Sequence, residues 1–286
     1  MTEIISWNVQ AGRGVDGVQS LERIARVVLQ MGDPDIVCLQ ELSQYMPDID
    51  GGREIDQIAE LQSLFSSYEA AFGPALDRAG GAAGRRRRFG NLILSRLPVL
   101  QVFLHALPQP ADPTVKHMPR QATEVIVDTD TGPLRVATTH LEFHSESQRL
   151  AQVSRLRSVH QEICENALPP ASDPGSGIYA AFPRPQSAVF CGDYNFTPES
   201  SAYAHMMEPF APGTVALRDA WTTCHGSRPH DPSCGLFDHQ QWPEGAHCRD
   251  YFFITADLAT RVDAVTVELE TNASDHQPVR LVLRDT

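Results

Sequence analysis

Long apolar segments are missing from this chain of 286 residues. No stretch approaches the roughly 20 consecutive apolar residues that a helix needs to cross a bilayer. The first residues, Met1-Thr-Glu, lead directly into a predicted strand and carry no basic, apolar leader of the secretory kind. We therefore expect a cytoplasmic protein without a transmembrane segment. No internal repeat or break in composition divides the sequence, so residues 1–286 are expected to form one domain.

Positive charge is also scarce. The chain has 23 lysines and arginines against 36 aspartates and glutamates, which gives a formal net charge of -13. Such a protein repels polyanions at long range, although a bound divalent cation or a basic loop can reverse the field close to a site. Nucleic acid is thus a disfavoured but not an excluded partner. The four adjacent arginines from Arg85 to Arg88 are most simply a solvated loop, with contact to an anionic substrate as the alternative.

The six cysteines do not form the pattern of a disulfide-rich protein. Cys38, Cys164 and Cys191 fall inside apolar predicted elements, where each is a small buried hydrophobe. The other three lie between Cys224 and Cys248 together with several histidines, but their spacings of ten and fourteen residues match no compact zinc pattern. A reduced loop is the favoured interpretation of that region.

The chain does contain short β-branched runs interleaved with amphipathic segments, which indicates an α/β fold. Apolar residues at three- and four-residue spacing predict helices over residues 21–31, 55–65 and 145–163, and a shorter one around Tyr203. Several of the strands follow one another directly, as in a meander. Strands are predicted at residues 3–7, 35–39, 91–96, 99–104, 121–127, 134–139, 187–191, 215–221, 251–255, 264–269 and 278–283.

Local signals predict where two of the helices begin. Asp16 with Gln19 offers a capping box for the first helix. Thr197 followed by Pro198 offers an N-cap and a first-position proline for the helix around Tyr203. Residues 169–185, rich in proline, glycine and serine, are predicted to form a long surface loop.

Polar side chains stand at the ends of several of the predicted strands. Taken singly, each has an ordinary explanation: Asp193 and Asn195 can close a turn after Gly192, and His140 can be a satisfied structural histidine. Taken together and in this order, they are typical of a metal- or phosphate-binding site. The residues are Asn8, Glu41, His140, Asp193, Asn195, Asp250, Asp275 and His276.

The segments around these residues resemble the motifs of the endonuclease/exonuclease/phosphatase superfamily. The resemblance runs from residue 6 to residue 276, and the motifs occur in the family's order. It implies a four-layer α/β sandwich of the DNase I-like kind, with two mostly antiparallel sheets packed face to face and helices outside. The matching segments are Ser6-Trp-Asn8, Leu39-Gln-Glu41, Gly90-Asn-Leu-Ile-Leu-Ser95, Thr139-His-Leu141, Gly192-Asp-Tyr-Asn195, Arg249-Asp-Tyr-Phe252 and Ser274-Asp-His276.

The resemblance also implies a metal-assisted hydrolysis of a phosphoester. Such a reaction needs a hard cation, a base for water and donors for the developing charge. The family pattern places Mg²⁺ (or Mn²⁺) at Glu41 and Asn8, which offer oxygen ligands, and Asp275 is a third ligand or acts through water. Only oxygen and amide ligands are offered, so zinc is not expected to be required.

The remaining motif residues receive catalytic roles. Asp193 is suited to accept the proton of the attacking water, and Asn195 to orient that water. His276 paired with Asp250 is expected to be a cation facing the phosphoryl oxygens, because a neighbouring carboxylate favours the imidazolium. His140 is either a phosphate ligand or the acid for the leaving group.

Two further positions match the family less specifically. Arg120 is a candidate phosphate-facing arginine and Asn91 a candidate substrate-binding amide. Their ordinary alternatives are a loop salt bridge and a hydrogen bond at the start of a strand. The motifs do not choose the substrate: a small or lipid-linked phosphoester is favoured, a nuclease acting on DNA or RNA is the alternative, and an inactive scaffold on the same fold is the alternative of another class. The sequence does not indicate the oligomeric state.

Overall fold

A computed structural model of the chain describes residues 1–167, 175–180 and 182–285, which form two six-stranded sheets. In spatial order, the first sheet contains Val262–Val267 (β11), Val279–Leu283 (β12), Thr2–Asn8 (β1), Ile36–Gln44 (β2), Arg87–Ser95 (β4) and Glu69–Arg78 (β3). The second contains Val99–Ala106 (β5), Gln121–Thr129 (β6), Gly132–His140 (β7), Ala188–Asp193 (β8), Asp250–Thr255 (β10) and Leu217–Asp219 (β9). In each sheet one pair is parallel, β1 with β2 and β7 with β8, and the other pairs are antiparallel.

Apolar side chains from both sheets meet between them, among them Ile4, Ile36, Val136 and Val189. The opposite face of the first sheet packs against the helices Leu21–Met31 (α1) and Gln57–Leu64 (α2). The outer face of the second sheet packs against Glu146–Ala167 (α3) and Ser201–Met207 (α4). A fifth helix, Ala220–His225 (α5), follows β9. The predicted four-layer sandwich of two mostly antiparallel sheets is thus confirmed.

The predicted N-caps of two helices were wrong. The Ser20 hydroxyl accepts the Arg23 N–H at 3.1 Å and caps α1, while Asp16 pairs with the Arg23 guanidinium instead. Ser200 accepts the Tyr203 N–H at 3.1 Å and caps α4, three residues beyond the predicted Thr197. A capping side chain must reach the second or third helical N–H, so the polar residue directly before the first turn displaces those further upstream.

Two strands also differ from the prediction. The segment 215–221 forms a strand only at Leu217–Asp219, because the Asp219 carboxylate accepts the Trp221 N–H at 2.7 Å and begins α5. Strand β3 was not predicted at all. It contains Pro74, which a central strand does not tolerate, and it lies at the edge of its sheet, where proline is acceptable.

Part of the predicted surface loop over residues 169–185 lies outside the described residues, namely 169–174 and 181. Its described part includes a short 3₁₀ turn at Gly177–Tyr179. Among the described residues, no helix is both long enough and apolar enough to span a membrane.

Gly192 was predicted to be a turn residue, but it lies inside β8. Its φ is +134°, and a Cβ atom there would lie 1.9 Å from the carbonyl oxygen of Thr139 on the neighbouring strand β7. The glycine therefore permits the close approach of the two strands that end in His140 and Asp193.

We predict that Gly192→Ala destabilises the fold by about 2 kcal/mol or more, since the strained φ and the backbone overlap act together. The measurement is the shift of the urea unfolding midpoint. Gly17→Ala is the matched control, because Gly17 also has a positive φ, +76°, but nothing lies within 4 Å of its added Cβ. Equal destabilisation of the two variants would contradict the proposed close approach.

Candidate active site

A cavity of about 440 Å³ opens at one end of the two sheets. Its walls combine carboxylates, histidines, amides and two aromatic rings. The residues that line it are Asn8, Gln10, Glu41, Lys116, Arg120, His140, Phe143, His144, Asp193, Asn195, Gln241, Trp242, Asp275 and His276.

Side-chain alternation along the strands brings the polar residues to this end. In β1, Ile4 lies between the sheets, so Asn8, four residues on, faces the same side. In β8, Val189 and Cys191 pack between the sheets and Asp193 continues that row. The same rule holds in β7, along the row from Val136 to His140, and in β10, along the row from Ile254 back to Asp250. Each row is apolar in the core and becomes polar at the cavity.

Glu41 reaches the cavity through a β-bulge and not through alternation. The pairing of β2 with β4 shifts register between Leu39 and Leu42, and Glu41 has a left-handed φ of +64°. A bulge inserts one extra residue into a strand, so a side chain there can point away from the face that regular alternation predicts. Non-glycine residues in this conformation are strained, and such strain is frequent at functional sites.

Asp193 is the centre of the hydrogen-bond network. Its carboxylate accepts the Asn195 N–H at 2.9 Å and the amide N–H of the Asn8 side chain at 3.0 Å. His140 Nε2 and His276 Nε2 lie 3.4 and 3.7 Å from Asp193 Oδ2. Burial raises the pKa of Asp193, but the two histidines and the donated hydrogen bonds outweigh it, and the pKa is lowered overall. Asp193 is therefore an ionised carboxylate at neutral pH.

His276 and Asp250 form a buried pair with a distance of 2.8 Å between His276 Nδ1 and Asp250 Oδ2. The Ser233 hydroxyl also donates to Asp250 Oδ2 at 2.7 Å. Burial alone would lower the pKa of His276, but Asp250 and then Asp193 hold that pKa well above its usual value. His276 is thus an imidazolium held between two carboxylates, as the sequence predicted for the pair with Asp250.

His140 differs from His276 although it lies in the same cavity. Burial and the nearby Arg120 guanidinium lower the pKa of His140 to about 3, against the smaller opposing effect of Asp193. His140 is therefore neutral at pH 7 and has one ring N–H to donate. The Arg120 Nε donates to Glu142 at 3.3 Å, so this arginine both lines the cavity and makes the predicted loop salt bridge.

The residues predicted to hold a metal do meet in the cavity. Burial and then repulsion from Asp275 raise the pKa of Glu41 to about 7, and burial raises that of Asp275. Two neighbouring carboxylates that resist ionisation are suited to a hard divalent cation, whose charge would relieve the repulsion. Asn8 differs from the prediction: its oxygen accepts the Gln10 N–H at 3.1 Å, and its amide nitrogen faces Glu41 and Asp193. In this conformation it orients the carboxylates and offers no oxygen to the cavity.

A second group of possible metal ligands is better explained without a metal. Asp193, Asp250 and His276 are the one set of three His, Cys, Asp or Glu donors within 4.8 Å of one another in the described ranges. Both ring nitrogens of His276 already face carboxylates. A doubly protonated imidazole cannot ligate a cation, so these three form an ion-paired cluster in which His276 is hydrogen-bonded to Asp250.

Nine of the ten candidate side chains meet at the cavity. Eight of them line it, and Asp250 is connected to it by its hydrogen bond to His276. Asn91 is the exception: its amide nitrogen donates to the Gln121 carbonyl at 3.3 Å between the sheets, and it does not line the cavity. Asn195 donates to the Leu141 carbonyl at 2.9 Å, and its buried Oδ1 has no hydrogen-bond partner in the part of the chain that the structure describes.

The arginine run does not reach the cavity. Each of the residues Arg85 to Arg88 lies within ion-pair distance of a carboxylate, supplied by Glu54, Asp77 or Asp48. The predicted solvated loop is confirmed for Arg85 and Arg86, whereas Arg87 and Arg88 are half-buried and begin strand β4. Asp77 is shared by Arg86 and Arg88.

Sequence reasoning missed several residues of the wall, notably Lys116, Phe143, His144 and Trp242. Phe143 and His144 closely follow the Thr139-His-Leu141 segment, and this position could have indicated that they line the site. Lys116 and Trp242 lie in long irregular segments without periodicity, where no local pattern predicts that a side chain faces the site.

Comparison with known proteins agrees with this architecture. The sequence model of the Endonuclease/Exonuclease/phosphatase family matches residues 5–276. No curated protein sequence matches the chain. The crystal structure of an endonuclease/exonuclease/phosphatase from Beutenbergia cavernae DSM 12333 is 23% identical, with a TM-score of 0.67 over 99% of this chain and 71% of that chain.

Two further solved structures are similar over nearly their whole length. The mannosyl-6-phosphatase of Bacteroides thetaiotaomicron VPI-5482 is 15% identical, with a TM-score of 0.68 over 100% of both chains. The human Nocturnin catalytic domain with bound sulfate anion is 20% identical, with a TM-score of 0.62 over 100% of this chain and 93% of that chain. At these identities the structural similarity shows the fold.

We predict that Glu41→Gln weakens Mn²⁺ binding by roughly 10-fold or more, because it removes a charged ligand. The measurement is isothermal titration calorimetry with Mn²⁺. The pKa of Glu41, about 7, gives the sign of the pH dependence: affinity should fall as pH decreases below 7, since the cation then competes with a proton. Glu69→Gln, at an exposed position of β3, is the control and should bind like the wild type. Wild-type affinity in Glu41→Gln would remove this residue from the metal site.

Proposed function

Since the chain belongs to the endonuclease/exonuclease/phosphatase family, we propose that it is a divalent-metal-dependent hydrolase acting on a phosphomonoester or phosphodiester. Family and fold alone do not establish an activity. The observation that carries the proposal is the convergence of an ionised Asp193, a cationic His276 and the carboxylates Glu41 and Asp275 in one cavity. These are the base, the anion-binding cation and the metal ligands that hydrolysis of a phosphoester needs.

Glu41 and Asp275 would hold Mg²⁺ or Mn²⁺, with Asn8 fixing the Glu41 carboxylate through its amide N–H. When bound, the cation would neutralise phosphoryl oxygens and reduce the repulsion between the two carboxylates. The rest of the chemistry belongs to side chains of the protein.

Asp193 is placed to take a proton from the attacking water. Its orientation is fixed by the Asn8 amide and the Asn195 N–H, and Asn195, which lines the same cavity, would orient that water. The water oxygen forms a bond to phosphorus. The bond from phosphorus to the leaving oxygen breaks, its electron pair stays on that oxygen, and the oxygen then takes up a proton.

His276 supplies a fixed positive charge beside the reacting group. Its Nδ1–H is held by Asp250, which leaves Nε2–H directed toward Asp193 and the cavity. A preorganised cation in a buried site stabilises charge on phosphoryl oxygens without reorganisation at the moment of reaction. His140, which is neutral, can donate its N–H to the same oxygens.

A small or lipid-linked phosphoester is the favoured substrate. The net charge of -13 opposes long polyanions, and the four adjacent arginines are already paired with carboxylates. A nuclease activity is the alternative within the same chemistry. A catalytically inactive scaffold is disfavoured, because every motif residue with a proposed role in catalysis or metal binding is present.

The first functional prediction concerns the acid–base network. Asp193→Ala and His276→Ala should each lower kcat by roughly 10²-fold or more, the usual scale for such groups, with smaller changes in KM. Asp250→Asn should reproduce part of the His276 loss. Hydrolysis should stop in excess chelator and return with Mg²⁺ or Mn²⁺. The measurement is steady-state phosphate or alcohol release from a panel of phosphoesters.

The chain offers a matched control for Asp250→Asn. Asp219 and His230 form another buried pair, 2.6 Å apart, which does not line the active-site cavity. Asp219→Asn should retain kcat once corrected for the folded fraction by circular dichroism. Full activity in chelator with no metal retained, or equal effects of Asp250→Asn and Asp219→Asn, would contradict the mechanism.

The second functional prediction concerns His140. As a neutral donor to phosphoryl oxygens, it should matter equally for good and poor leaving groups, so His140→Ala should slow a nitrophenyl ester and a sugar phosphate by the same factor. A much larger loss on the sugar phosphate would make His140 the acid for the leaving group. No loss on either would leave it a structural histidine. The measurement is kcat/KM for both substrates.

The ranking of substrates can be tested separately. We predict faster turnover of small phosphoesters than of plasmid or oligonucleotide DNA at about 0.15 M salt, near the ionic strength of cells. Efficient plasmid nicking under these conditions would reverse the ranking and favour the nuclease.

A further inference from the structure

A second cavity, of about 230 Å³, adjoins the active-site cavity, and the proposed chemistry does not use it. The two cavities share four wall residues: Lys116, Arg120, Phe143 and His144. We call this second space the side cavity; its other walls are His117, Met118 and Glu142.

The walls of the side cavity are fixed by one buried carboxylate. Glu142 is fully buried and accepts hydrogen bonds from the Met118 N–H at 3.4 Å, the Arg120 Nε at 3.3 Å and the His144 N–H at 3.0 Å. These bonds join the segment before β6 to the segment after β7. A site held in this way needs little ordering when a ligand binds, which favours affinity.

The balance of charges in the side cavity leaves one cation over. Burial raises the pKa of Glu142, but its hydrogen bonds and Arg120 outweigh that effect and lower it, so both members of the pair are charged and cancel. Lys116 has no carboxylate within ion-pair distance among the described residues, and it is the single lysine among 286 residues. The remaining walls include Met118 and the ring of Phe143, which offer apolar surface.

We propose that the side cavity receives the leaving alcohol of the phosphoester and that Lys116 binds a negative group on that alcohol. This inference rests on the proposed function. A volume of 230 Å³ is below the roughly 300 Å³ at which pockets for drug-sized ligands begin, so it suits a single ring or a short chain. The substrate class is thus a phosphoester whose leaving group is ring-sized, partly apolar and anionic, through a carboxylate or a second phosphate.

A matched pair of substrates tests the role of Lys116. Phenyl phosphate and 3-carboxyphenyl phosphate differ by one carboxylate, and their methyl diesters provide the same comparison for a phosphodiesterase. The wild type should prefer the carboxylated ester in kcat/KM, mainly through KM. Lys116→Met should lower this preference by about 2- to 5-fold, as expected for loss of one exposed charged contact, and Lys116→Arg should retain most of it.

The control variant removes the same charge elsewhere. Arg26, on the exposed side of α1, lines neither cavity, so Arg26→Met should leave the preference as in the wild type. If the preference changes equally in Arg26→Met and Lys116→Met, the effect is due to net charge alone and the inference is wrong.

A readout without turnover is available because the chain has one lysine. Its primary amines are then Lys116 Nζ and the amino terminus, which pairs with Asp285 far along the sequence and serves as the internal reference. With Mg²⁺ present, 3-carboxyphenylphosphonate, which is not hydrolysed, should slow acetylation of Lys116 several-fold more than phenylphosphonate does. Mass spectrometry of the two sites measures both rates.

Different results would contradict the proposed function and the inference about the side cavity. If neither ester is hydrolysed with any metal, the proposed function fails, and the phosphonate protection still decides whether the side cavity binds the anionic ring. If both esters are hydrolysed with the same preference in wild type and Lys116→Met, and the two phosphonates protect Lys116 equally, the proposed function stands and this inference is wrong.

Discussion

Side-chain alternation along strands that face one another across the sandwich is the constraint on which the site depends. Residues two apart share a face, so a row that packs in the core at one end presents its last member at the rim. The rows ending in Asn8 in β1 and in His140, Asp193 and Asp250 in the second sheet all become polar at the same end. Gln40 in β2 continues the rule, and its amide donates to the Thr138 hydroxyl of the opposite sheet at 2.8 Å. The candidate active-site cavity is thus the polar end of the same interface that holds the sheets together.

The charges at this end stabilise one another only as a set. Asp193 and Asp250 are buried carboxylates, and a buried charge without a partner is costly. His276 contacts both, which keeps Asp193 ionised and keeps itself cationic. For Glu41 and Asp275, burial and repulsion from neighbouring carboxylates outweigh the attraction to His276, so their pKa values stay raised. A divalent ion would complete the balance, so metal binding and the protonation of the site are expected to be linked.

The parts of this arrangement that the sequence could predict are those set by local chemistry. Polar residues at the ends of apolar strands identified Asn8, His140, Asp193 and Asp250, because period-two alternation and strand boundaries are local properties. Glu41 was also identified at the end of a predicted strand, but the bulge that directs its side chain into the cavity contains no glycine and left no local signal. Asn91 shows the opposite error: its segment matches the family, yet in the structure its amide is taken up by a carbonyl of the facing sheet. The positions of Trp242 and Lys116 depend on the conformation of long loops. That conformation is determined by contacts between residues far apart in the sequence.

The loop that carries Trp242 is also hydrogen-bonded to the Asp250–His276 pair. Ser233, at the start of the segment that carries Trp242, donates its hydroxyl to Asp250 and accepts the Asp250 N–H at 3.0 Å. Its carbonyl accepts the Gln277 N–H, directly after His276, at 2.6 Å. Trp242 packs edge-on to His276, with 5.6 Å between ring centroids, and it also contacts the Arg249 guanidinium and the rings of Phe143 and His247. A change in this segment that alters the shape of the substrate cavity will therefore also shift the Asp250–His276 pair. If the proposed function holds, we expect substitutions in this segment to change substrate choice and the chemical step together, because the same backbone segment supports both.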